Sequence, residues 1–130
     1  MATGNSITLR GNFDDTVAQV REALQGEGFG VITEIDIRAT MAAKLQLDYP
    51  DFLILGACNP MLAHTALQTA PGVAALLPCN VVVRRSGDEV VVEAVDPQIL
   101  VSATGEEALA PVADEAAERL QRVLAKVEEG

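Results

Sequence analysis

The segment Phe52–Cys58 (FLILGAC) is an unbroken apolar run followed at once by Asn59-Pro60. A run of that length without polar alternation reads as a central strand covered on both faces. Asn at a helix cap with Pro at the first helical position then starts a helix directly at the strand's end, because the proline lacks a donor that the first turn could not use anyway. That helix is predicted over residues 60–70 (PMLAHTALQTA) and is stopped by Pro71-Gly72. Any fold for this chain must therefore place a helix N-terminus at the end of a buried strand.

The other elements follow from periodicity. Residues 5–11 alternate and read as a first strand, after which Asn12 offers a cap. Phe13, Val17, Val20 and Leu24 form one helical stripe, ended by Gly26 and Gly28. From Phe29 the period changes to two, predicting a strand over 29–37 with Phe29, Val31, Thr33, Ile35 and Ile37 facing inward and Glu34 and Asp36 outward. Residues 38–47 are Ala-rich and predict a short helix carrying Met41 and Leu45 inward. Val81–Arg85, the Ser86-Gly87-Asp88 turn and Glu89–Val95 read as a hairpin. After Asp96-Pro97 an irregular link is expected, then an amphipathic helix within about 106–127 bearing Leu109, Val112, Ala116, Leu120, Val123 and Val127. Pro111 places its regular part from near Ala110, behind a separate turn. The order β-α-β-α-β-α-β-β-α implies an α+β architecture: a largely antiparallel sheet with helices on one face. The bare face favours a homodimer, with the interface on apolar sheet surface or on the terminal helix.

The 130 residues form a single domain, too short for a two-domain enzyme, and 49% hydrophobic content supports a core. A net charge of −10 repels phosphate backbones and anionic headgroups, which argues against nucleic acid and membrane surfaces as partners. The start MATGNSITLR has neither the basic nor the apolar region of a signal peptide, and no window has the length of a membrane span. The chain reads as cytoplasmic, with Cys58 and Cys79 as free thiols. The Gly26-Glu27-Gly28-Phe29-Gly30 cluster precedes a strand instead of opening a helix, so it is no phosphate loop. Neither a Ser-His-Asp order nor a GxSxG elbow is present, and a hydrolase is unsupported.

Chemistry-bearing residues concentrate in Cys58-Asn59-Pro60-Met61 and His64. At a strand end facing a helix N-terminus, a thiolate at Cys58 would be stabilised by unpaired backbone N–H groups. The alternative is a small residue filling tight space. His64, the sole histidine, lies one turn into the helix and would lean back toward Cys58, or else be ordinary helix packing. If the hairpin's first strand runs antiparallel to the strand ending at Cys58, Cys79 arrives at the same end of the sheet. Two thiols with His64 and Met61 would make a soft-donor set for copper(I), zinc or haem iron, or a dithiol/disulfide couple.

The stretches NFDDTVAQVREALQGEGFGVITEIDI, GACNPMLAHTAL, PGVAALLPCNVVV and AVDP, spanning about residues 12–97, resemble the bacterial and archaeal family called "domain of unknown function 302". The resemblance implies a small α+β fold similar to the TATA-binding-protein superfold, usually a homodimer, with no established activity. The reading is a homodimeric module, not evidently an enzyme, holding a small-molecule ligand or soft metal around Cys58, Asn59, Met61, His64 and Cys79. The alternatives are a structural or interaction protein with packing cysteines, and a thiol-dependent redox enzyme.

Overall fold

The computed structural model describes residues 4–130. Strands β1 (Gly4–Arg10), β2 (Gly30–Asp36), β3 (Phe52–Cys58), β4 (Cys79–Ser86) and β5 (Glu89–Val95) form one sheet in the order β1-β5-β4-β3-β2, with every neighbouring pair antiparallel. Helices α1 (Phe13–Gly26), α2 (Ile37–Leu45), α3 (Pro60–Thr69), α4 (Ile99–Thr104) and α5 (Ala110–Glu129) join or follow them, with 3₁₀ turns at Pro71–Leu76 and Glu107–Leu109. The architecture is the α+β arrangement that the periodicity implies.

Local chemistry fixes the two helices that make the main core. Asn12 Oδ1 accepts from the Asp15 N–H at 2.9 Å, capping α1, and the stripe Phe13, Val17, Val20, Leu24 is buried. Pro111 sits in the first turn of α5, behind the 3₁₀ turn, where its missing N–H costs nothing. Register places Leu55 opposite Val81 and Val83 opposite Val92, so these side chains share one sheet face. They pack there with Leu24 of α1 and Leu120, Val123 and Val127 of α5. A second, smaller cluster gathers Ala66, Val73, Leu100, Leu109 and Val112 from α3, the first 3₁₀ turn, α4 and the start of α5. The single apolar core of the sequence reading is thus two clusters that meet beside the end of β3.

Several expectations are corrected. Phe29, just before β2, and Val31 within it turn inward, but Thr33 is exposed and Ile35 is 48% exposed, while a register shift between Val31 and Thr33 marks a bulge. The strand lies at the sheet edge, so half of its alternating pattern meets no helix. Helix α2 starts at Ile37, where Asp36 Oδ1 accepts from the Ala39 N–H at 2.9 Å, and has no buried residue: Met41 is half-buried and Leu45 exposed. Residues 99–104 form α4 instead of an irregular link, held by the Asp96-Pro97 turn and ended by Gly105 at φ +74°. The apolar side of α5, from Val112 to Val127, is buried in the core.

Burial of β3 is complete only at Leu55–Ala57. Gly56 makes that possible on the second face. A Cβ there would overlap Thr33 Oγ1 and come within 2.9 Å of Pro78 Cγ, so those two side chains close over the bare glycine backbone.

Candidate apolar binding site

Where the two clusters meet, a cavity of about 220 Å³ opens at the end of β3. Its floor is Phe29 and Ala57, α3 contributes Leu62, Ala63 and Ala66, and Leu100, Val112 and Ala116 complete the far wall. Leu77-Pro78-Cys79 and Cys58-Asn59 form the near side. The wall contains no charged side chain; its polar side chains are Asn59 and the two thiols.

Asn59 is buried, and its amide is committed. Oδ1 accepts from the Leu62 N–H at 3.2 Å, the cap predicted from Asn59-Pro60, and Nδ2 donates to the Glu27 carbonyl at 3.5 Å. Arg119 Nη1 donates to the same carbonyl at 2.9 Å. Gly28, at φ +84°, passes so close that a Cβ would lie 3.0 Å from Asn59 Nδ2. One residue therefore starts α3 and ties it to the turn that leads into β2.

The antiparallel pairing of β3 with β4 brings the cysteines to one end of the sheet. Ala57 pairs with Cys79 at the end of the β3–β4 ladder, and Cys58, the last residue of β3, pairs on the other side with Gly30 of β2. Both are half-buried free thiols and both line the cavity. Burial, and secondarily the neighbouring Cys58, pushes the Cys79 thiol up from 9.0 to about 11, so it is a neutral group at neutral pH.

The remaining predicted site residues lie elsewhere. Met61 is 78% exposed and His64 is exposed; neither lines the cavity. The α3 face that does so carries Leu62, Ala63 and Ala66, and Met61 and His64, three apart, share the opposite side. Among the described residues, no three His, Cys, Asp or Glu side chains are grouped as a metal site. The five residues singled out in the sequence thus divide into Cys58, Asn59 and Cys79, which converge, and Met61 and His64, which do not. The apolar wall residues were missed because nothing chemical marks them; the small side chains Ala63 and Ala66 at helical spacing were the available sign.

Comparison with known proteins places this geometry. The family described as "Domain of unknown function DUF302" matches residues 5–127, extending the resemblance through β1 and α5. A crystal structure of an uncharacterized conserved DUF302 protein from Bacillus stearothermophilus is similar, with a TM-score of 0.90 and 26% identity, covering 98% of this chain and 99% of that one. No curated protein matches. The helix-capped strand end, the hairpin behind it and the two packed helices are therefore those of a known fold, and the chain belongs to the DUF302 family.

Proposed function

We propose that the protein is a binding module for a small, uncharged, largely apolar molecule held in the cavity between α3, α4, α5 and the end of β3. The observation that carries this reading is the wall itself: it has no charge, and its one amide already bonds to backbone on both ends. A charged ligand would lose its hydration there and gain no partner. Cavities of about 150 Å³ with apolar walls admit benzene. At about 220 Å³ this one suits a substituted ring or a short branched chain. The reading assigns no turnover, and it fits a reducing cytoplasm, where both cysteines remain thiols.

The test uses 4-fluorotoluene as the probe, followed by ¹⁹F NMR. Saturable binding to the reduced protein is expected, with at least a tenfold weaker affinity in Ala63→Leu, whose side chain would occupy the space. Failure of the folded wild-type protein to bind at millimolar probe would overturn the reading.

We infer also that the working unit is a homodimer. Exposed apolar residues collect on β2 and the segment after it: Ile32 (63%), Ile35, Leu45 (58%) and Leu47. β2 is an unpaired edge, and an antiparallel edge strand can pair with its own copy across a two-fold axis.

A further inference from the structure

We propose that Ile32 is the gate of the cavity, the side chain that a ligand passes on entering and leaving, an inference that rests on reading the cavity as a binding site. Fourteen residues line the space, and Ile32 alone among them is exposed, at 63%. A side chain that bounds a cavity on one side and meets solvent on the other stands at its opening. Phe29, Ala57, Ala66, Leu100, Val112 and Ala116 are all buried and close the space behind it.

The bulge in β2 puts Ile32 there. Val31 pairs with Ala57 and Thr33 with Gly56, so Ile32 is the extra residue and has no partner in β3. In an unbroken ladder the residue after Val31 would stand over Gly56. Thr33 takes that place, with Oγ1 where a Gly56 Cβ would be, and Ile32 is released from the strand's alternation to line the cavity. Its backbone belongs to no rung with β3 and β2 is a sheet edge, so the side chain can swing aside without breaking the ladder. Ile32 contributes to neither apolar cluster, and at its exposure it buries little area. As a gate, an apolar side chain passes an apolar molecule without stripping water from a polar group, in keeping with the wall behind it.

The rate constants for 4-fluorotoluene are measured from ¹⁹F lineshapes on the reduced full chain. Truncating an exposed side chain should leave the cooperative unfolding transition in place. Ile32→Ala should raise association and dissociation together by about fivefold, with Kd changed by less than about twofold, and Ile32→Trp should slow both by about as much. Leu47→Ala, which removes an exposed apolar side chain outside the cavity wall, should change neither rate. Ile32 also lies on the edge read as the dimer contact, so the comparison is repeated with Ile35→Lys and Leu45→Lys present, where the same ratios are expected. Faster dissociation alone in Ile32→Ala would make Ile32 a wall contact, and unchanged rates in both Ile32 variants would place the entrance elsewhere; either result overturns the gate. An acceleration lost in the lysine-bearing chain would assign the effect to the second copy and overturns it too. A wild-type chain that binds no probe overturns the binding reading, and the gate with it.

Discussion

Asn59 shows how one side chain can set both a fold and a site. Its Oδ1 caps α3, while the bond from Nδ2 to the Glu27 carbonyl is long and is shared with the shorter one from Arg119. Asn59→Ala should therefore lose mainly the cap, about 0.5–2 kcal/mol in urea unfolding, because Arg119 still satisfies the carbonyl. Cys79 provides a second, pH-dependent test. Its pKa is raised on folding from 9.0 to about 11, so the folded state holds a proton that the unfolded chain releases. Stability is then unaffected below about pH 9, falls as pH rises from 9 toward 11, and has dropped on the order of 2–3 kcal/mol above that. The measurement is the difference in unfolding free energy between wild type and Cys79→Ala across that range; a difference independent of pH would show that burial does not hold the thiol neutral. At this scale the sequence was informative where chemistry is local. The Asn59-Pro60 cap could be read because it needs only its own turn, whereas the positions of Met61 and His64 depend on how α3 rotates against α4 and α5, which no local pattern encodes.

Among the elements, β3 is the most constrained, and Gly56 is its critical position. Adding a methyl group there presses on Thr33 and on the ring of Pro78, and the ring cannot rotate away. Gly56→Ala should cost about 1–3 kcal/mol by overpacking, and Thr33→Ala in the same chain should restore part of it. Unfolding curves of the two variants test this, and an undiminished stability in Gly56→Ala would contradict the closure seen over β3. α1, β3, the hairpin and α5 were legible because their apolar positions are used by the core in the same period that the residues show. β2 was legible as a strand but misread in its facing: Ile35 keeps the alternation of a covered strand, yet the sheet order puts it at an edge with nothing above it. α2 was legible as a helix from its alanines, but its inward side was not, since it has none. The short α4 was hidden behind Asp96-Pro97, whose turn chemistry looks the same before a helix as before a loop.

At the scale of the whole molecule, the charge of −10 and the exposed apolar edge act in opposite directions. Salt screens the first and leaves the second, so self-association should strengthen as ionic strength rises from 10 to about 150 mM. Sedimentation at micromolar concentration is expected to show a dimer there and a monomer for Ile35→Lys with Leu45→Lys; a wild-type monomer in both salts would refute it. The helices of the described residues include none long and apolar enough to cross a membrane.

If the seam between the two apolar clusters is a binding cavity, xenon detects it without a choice of ligand. Xenon enters dry apolar cavities and spares polar ones. Diffraction from a reduced crystal under xenon pressure should show a peak bounded by Ala57, Ala66, Leu100 and Val112. An unoccupied seam, with xenon held elsewhere or nowhere, would show that the seam is not a binding cavity.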